Sequence, residues 1–334
     1  MRALLARLRD PAAFARLTLW ALVLLWVIVP SGAVVRLTAS GLGCPDWPLC
    51  DGGVVPAAAG HAAIEYANRL LSGVVGAVAI GTWFVSRGVP GAGPALRRSA
   101  AGIALTTAIQ MPLGAVTVLS GLHPLAVGTH FLVSMIALAC GTILFIAARD
   151  LRDGRTRAWS PRRGVMAGLV ALSAAVVLVT GVIVTAAGPH SGDDDVTKRF
   201  GDLLLALQVH VRAAIAFSAL ALILIVWVWR EGGVDRLTAR LALVAVPLIA
   251  LQIGLGEYQY RNGLPWQVVT VHVSTAALVW GVIVAACWGI ARPAREADQG
   301  RRDATLWQGT QRTESGSALS RPSGISAPQS TQIP

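Results

Sequence analysis

Apolar residues run through this chain in blocks of about 20, enough to cross a hydrocarbon core, with polar clusters between them. The blocks predict eight membrane-spanning helices, at Leu17–Val35, Ala62–Val85, Ala100–Leu119, Leu125–Ala148, Gly164–Ala187, Asp202–Trp229, Leu237–Leu255 and Trp266–Ala291. The first block is too long for the core of a signal peptide. Its small-residue stretch Ser31-Gly32-Ala33 lies inside a continuing apolar pattern, so it is expected to stay as a helix. From Arg292 the pattern stops. The tail 292–334 is rich in Ser, Gln, Thr and Pro and is expected to be disordered, having little apolar surface to bury.

The pattern repeats. Gln110, Gly114, Gly121, Leu122 and His130 recur 142 residues later as Gln252, Gly256, Gly263, Leu264 and His272. The ends of the first and fifth helices match at an offset of 149, Ser31-Gly32-Ala33-Val34-Val35 against Thr180-Gly181-Val182-Ile183-Val184, because the first loop is seven residues longer. Chance likeness between apolar helices does not place Gln, Gly and His together at one spacing. The expected fold is therefore all-α: a polytopic membrane protein of eight helices in two tandem, similar four-helix bundles of the same orientation. Residues 17–148 form the first, 164–291 the second, with 1–16 leading and 149–163 linking them.

Composition agrees and adds a direction. The chain is 54% hydrophobic and 13% charged, against about 25% charged in an ordinary soluble domain. The net charge of +11 could suggest nucleic acid, but the arginines are not gathered on one soluble face. With the N-terminus inside, 22 of the 28 basic residues fall in the leading segment, the linker, the alternate loops and the tail. Only Arg36, Arg69, Lys198, Arg199, Arg212 and Arg261 fall at the other side. This bias predicts both termini in the cytoplasm and argues against nucleic acid as a partner.

Polar residues inside the spans carry the candidate chemistry. The 142-residue offset maps His210 onto Asn68, which defines two equivalent pairs: His210 with His272, and Asn68 with His130. Paired imidazoles on facing helices suit bis-histidine ligation of haem iron. A zinc site would want three or four ligands together, and no such cluster is visible. No Cys-x-x-Cys-His occurs, so covalent haem attachment is not indicated. Glu65 and Asn68 are i and i+3 and share a face. Glu65 either gains from its helix dipole or moves protons and stabilises positive charge beside the cofactor position. Arg69 and Arg212 either pair haem propionates or snorkel to the interface. His61, two turns before Asn68, would reach the same pocket if its helix starts early. Cys44 and Cys50 flank a proline-rich loop on a side that permits disulfides, as a structural bridge or a redox pair. Cys140 and Cys287 read as packing residues, and His123 and His190 as solvated or structural ones. Asp193-Asp194-Asp195 reads as a solvated acidic loop. Repeats and histidine pairs suit an enzyme, a di-haem b-type electron carrier, and a haem transporter or chaperone; Glu65 and the cysteine loop favour the enzyme.

Together these residues resemble the haem A synthase family. The most specific stretch runs through Gly32-Ala33-Val34-Val35-Arg36-Leu37-Thr38 and Ser40-Gly41-Leu42-Gly43-Cys44-Pro45-Asp46-Trp47-Pro48-Leu49-Cys50. Ile64-Glu65-Tyr66, Asn68-Arg69-Leu70-Leu71 and the segments around His130, His210 and His272 complete it. The resemblance implies oxidation of the C8 methyl group of haem O to a formyl group, giving haem A for cytochrome oxidase. It implies haem b on His210 and His272 in the second half, with Arg212 beside it. It places haem O in the first half on His130, Asn68 and Arg69, with Glu65 catalytic and Cys44 and Cys50 a loop pair that can form a disulfide. Asn68 departs from the family pattern, which has a second histidine there. The implied partners are haem O, the farnesyltransferase that makes it, an electron acceptor, the bilayer of the cell membrane and a further copy of the chain.

Overall fold

A computed structural model describes residues 2–44, 46–50, 52–56, 59–190, 192–193 and 200–296. Pro45, Asp194, Asp195, Lys198, Arg199 and the tail beyond residue 296 lie outside the described residues. A short helix α1 (Arg2–Leu8) precedes α2 (Pro11–Leu37), α3 (His61–Ser86), α4 (Pro94–Leu119), α5 (Pro124–Arg152), α6 (Pro161–Ala187), α7 (Leu203–Glu231), α8 (Arg236–Arg261) and α9 (Trp266–Ala291). Helices α2 to α9 are the eight expected spans, each long and apolar enough to cross a membrane. They start where local chemistry says they should. Pro11, Pro94, Pro124 and Pro161 occupy first-turn positions, where a missing N–H costs nothing. Asp10, Asp202 and Asp235 accept first-turn N–H groups as N-caps.

The contacts follow the duplication. In the first half α2 meets α3, α3 meets α4, α4 meets α5 and α5 returns to α2; in the second, α6 to α9 close the same ring, although α7 touches α8 only sparsely. The repeat extends to backbone torsions. Leu122 and Leu264, 142 residues apart, both adopt left-handed φ, of 55° and 60°, each after a left-handed glycine. Their N–H groups close equivalent turns onto Thr117 and Gln259. A leucine in this region is costly and rare, so the shared torsion marks one turn design used twice.

The halves pack as one body through residue 294. One apolar cluster gathers Phe14, Leu25, Ile103 and Leu138; a second gathers Phe217, Leu224, Ile283 and Ile290, and Trp280 packs against both. Two indoles stitch the seam: Trp26 Nε1 donates to Ser274 O at 3.3 Å and Trp280 Nε1 to Met135 O at 2.8 Å. Many large apolar side chains point outward from the spans, among them Trp20, Leu105 and Leu222. A bilayer accepts that surface; water would not.

Near the linker, Arg157 ties the halves together. Its guanidinium pairs with Asp150, donates to Asp235 Oδ2 at 3.2 Å and reaches Arg292 O at 3.0 Å. Asp235 also caps α8 through Leu237 N, Thr238 N and the Thr238 hydroxyl. Burial would raise the Asp235 carboxyl, but the Thr238 bonds and the Arg157 charge outweigh it and hold it below its usual value. Arg157→Ala should cost about 3–5 kcal/mol, because two carboxylates lose their buried partner; thermal unfolding in detergent measures it. A lowered folded pKa means the ion pairing stabilises above the unfolded value and is lost as pH falls through the folded one. The stability gap between wild type and Asp235→Asn should therefore be full above about pH 4 and close on acidification below it.

Candidate functional site

A cavity of about 1280 Å³ opens in the loop-side part of both halves. This exceeds the roughly 300–1,000 Å³ of an ordinary small-molecule pocket. Glu65, Asn68, Arg69, His130, His210, Arg212 and His272 all line it, so the candidates chosen from sequence converge on one space.

The fourth helix of each half presents its histidine in the same frame. Gln110 Nε2 donates to His130 O at 2.9 Å, and Gln252 Nε2 donates to His272 O at 3.0 Å. Gly114 and Gly256 lie against the two rings: a Cβ there would sit 3.7 Å and 3.5 Å from the respective Cε1 atoms. Nδ1 of both His130 and His272 is buried without a partner. On the second helix, His210 Nδ1 bonds Thr180 Oγ1 at 3.0 Å, and Asn68 Oδ1 accepts from Ser31 Oγ at 3.0 Å. Sequence reading singled out Ser31 and Thr180 only as matching helix ends; their hydroxyls are the partners of the two paired positions.

Among the described residues, no three His, Cys, Asp or Glu side chains converge as a metal-ion cage would need. The donors in the second half are a pair of imidazoles, His272 with its Nδ1 unpartnered and His210 with its Nδ1 on Thr180, lining an apolar space larger than a metal ion requires. That donor set fits a planar tetrapyrrole between His210 and His272.

Among the described residues the buried lining carboxylate belongs to one half only; Glu257 of the second half lines the cavity too but is exposed and pairs with Arg261. Glu65, in the second turn of α3, is 4% exposed. Its Oε2 accepts the Cys44 N–H at 2.8 Å, and its Oε1 accepts Arg69 Nε at 3.1 Å and Nη2 at 2.6 Å. The loop can deliver that N–H because Gly43 lies flat on the start of α3. A Cβ at Gly43 would come within 2.5–2.7 Å of the His61 and Ala62 backbone. Cys44 and Cys50 are joined by a disulfide of 2.01 Å. At the offset of 142, Glu65 and Arg69 become Leu207 and Val211, so the second half keeps the histidine frame without an ion pair at those positions.

Other placements differ from expectation. Arg69, expected to pair a propionate or snorkel, commits all five N–H donors elsewhere: two bonds to Glu65 and three to Cys44 O, Asp46 O and Leu49 O. The helix carrying His61 does start early, at His61 itself, yet the ring bonds Ser40 Oγ at 2.8 Å and stays out of the cavity lining. Arg212 lines the cavity with no hydrogen-bond partner among the described residues. His190 Nε2 meets Leu264 O at 2.9 Å, joining two loops of the second half, and Arg36 of α2 donates to the Thr185 and His190 carbonyls, linking the first half to the second. His123 caps α5. Cys287 is buried in the second apolar cluster, and Cys140 is half-buried.

Residues 15–64 and 59–284 match the family described as COX15-CtaA, cytochrome oxidase assembly protein. The chain is 34% identical over 146 residues to the heme A synthase of Alkalihalophilus pseudofirmus, which covers 41% of this chain and 46% of that protein. It is 25% identical over 304 residues to the heme A synthase of Shewanella oneidensis, covering 77% and 91%. Against the heme A synthase of Symbiobacterium thermophilum it is 28% identical over 278 residues, covering 77% and 89%. The alignment thus spans under half of the Alkalihalophilus relative and nearly all of the other two.

Arg69→Gln should leave Glu65 buried without its cation and release three loop carbonyls. Its expected cost is about 3–5 kcal/mol, with the loop around Cys44–Cys50 opening first. Faster hydrogen exchange at Cys44 than at the α3 backbone is the measurement that checks it.

Proposed function

Because the chain belongs to the COX15-CtaA family of cytochrome oxidase assembly proteins, we propose that it is a haem A synthase, oxidising the C8 methyl group of haem O to a formyl group. The observation that carries this reading is the asymmetry between halves. Both have the same histidine frame, but only the first sets a buried carboxylate, Glu65, beside it. A pure electron carrier or haem transporter has no need of that difference.

In this reading His210 and His272 would hold haem b, with Arg212 available to a propionate. When bound, it supplies one-electron transfer. Thr180 fixes the His210 ring through Nδ1, which leaves Nε2 for iron. Haem O takes the first half, with His130 as its protein ligand. Converting the methyl to a formyl group with oxygen from water consumes one net water. It releases four protons and four electrons, through an alcohol and a gem-diol that loses water. Glu65 is the group beside that half able to receive a proton or to face developing positive charge. Arg69 positions it: one guanidinium holds the carboxylate and three loop carbonyls together, so the disulfide loop closes over the acid. Apolar walls suit the porphyrin and its farnesyl-type tail.

The arginine bias supports both termini in the cytoplasm and the disulfide loop on the outer face of the cell membrane. The partners are the farnesyltransferase that supplies haem O, an electron acceptor and a second copy of the chain. Haem O supplied to the purified protein with an electron acceptor should yield haem A by chromatography. Glu65→Gln should lower the rate by about 10²–10⁴-fold while the low-spin b-type spectrum persists; an unchanged yield would defeat the role of Glu65. His210→Ala and His272→Ala should each remove that spectrum.

A further inference from the structure

The duplicated frame lets one half report what is missing from the other. In the second half the His210 ring lies against Gly181. A Cβ there would come to 3.1 Å from Cε1, 3.5 Å from Nδ1 and 3.9 Å from Nε2. In the first half the offset of 149 puts Gly32 at that place and the offset of 142 puts Asn68 in place of His210. A Cβ on Gly32 meets nothing within 4 Å. The hydroxyl partner is kept, as Ser31 on Asn68. The glycine is kept as well, and the opposing His130 frame is unchanged. Only the ring is gone, and neighbouring side chains have not closed the space it would fill.

Asn68 cannot take the ring's place. An amide nitrogen has no lone pair to give a metal, and Asn68 Oδ1 is already held by Ser31. Its Nδ2 has no hydrogen-bond partner among the described residues, and Asn68 lines the cavity. What it offers there is an N–H donor beside free volume.

We propose that haem in the first half is held by His130 alone and keeps an open axial position on the Asn68 side. This position takes a small exogenous ligand, water at rest, with carbon monoxide and imidazole as probes of the open site. Asn68 Nδ2 donates to the ligand and Gly32 leaves it room. The proposal rests on the reading of His130 as the haem O ligand.

The test uses the purified full chain loaded with haem O, with haem counted per chain by pyridine haemochrome and carbon monoxide added after reduction. Wild type carrying both haems should bind carbon monoxide at one of them. Asn68→His should keep both haems, fill the space against Gly32 and lose the carbon monoxide signal. Imidazole should turn the ferric wild-type spectrum fully low-spin and leave that of Asn68→His unmoved. Gly32→Val, which enters the same free space, is the second probe and should weaken carbon monoxide binding with haem content retained. A wild type holding both haems that binds no carbon monoxide overturns the proposal. So does a carbon monoxide signal undiminished in Asn68→His. A wild type that takes up only the haem of His210 and His272 is a different failure: it overturns the assignment of haem O to the first half, and the open position with it.

Discussion

Lipid offers no hydrogen-bond partner, so polar groups within the spans of this chain are driven to partners inside the protein or to an internal cavity. That constraint decides where its chemistry lies. Glu65 meets Arg69 and the Cys44 amide, His210 meets Thr180, Asn68 meets Ser31, and two glutamines bond the carbonyls of two histidines. All of these residues except Cys44, Ser31 and Thr180 line the large cavity, and those three bond residues that do. The outward faces, by contrast, are apolar. The bundle is thus sorted by solvation, and the cavity is where its polar groups are gathered.

Duplication then explains why the cavity has two ends of similar build. The frame of glutamine, glycine and histidine is a packing solution as much as a chemical one. The glycines let a ring approach a neighbouring backbone, and the glutamines satisfy a helix carbonyl next to that ring. Such a frame can be copied whole. Among the positions that distinguish the copies are three on the second helix: Glu65 against Leu207, Asn68 against His210 and Arg69 against Val211. All three lie within five residues of the second helix of each half, so in the proposed reading a few substitutions separate a holding site from a reacting one.

Much of this was legible in the chain. The eight spans follow from apolar run length, and the repeat from five residues at one offset. The histidine pairs follow from the repeat. What could not be read was where long side chains reach across space. Arg69 and Glu65 are i and i+4, a pairing sequence can suggest. The three loop carbonyls that complete Arg69 become visible only once the loop folds back over α3. His61 misled for the same reason: helical phase placed it near the pocket, but Ser40 in the returning loop takes its ring. The bridge from Arg157 to Asp150, Asp235 and Arg292 joins residues up to 135 apart, which no local pattern encodes.

The difference between His210 and Asn68 also fits the unequal fates of the two haems in the proposed reaction. A resident cofactor gains from a second axial imidazole, because both faces of the iron are then held by the chain. A substrate held the same way would gain nothing in rate, since binding that is equal in ground and transition states does not lower the barrier between them. It would also leave more slowly once oxidised, and product release often sets turnover in well-developed enzymes. Replacing one imidazole by an amide that hydrogen-bonds but does not ligate removes that excess grip while Ser31 keeps the side chain in place. In the proposed reading the protein then retains haem in one half and turns it over in the other, with the same fold on both sides.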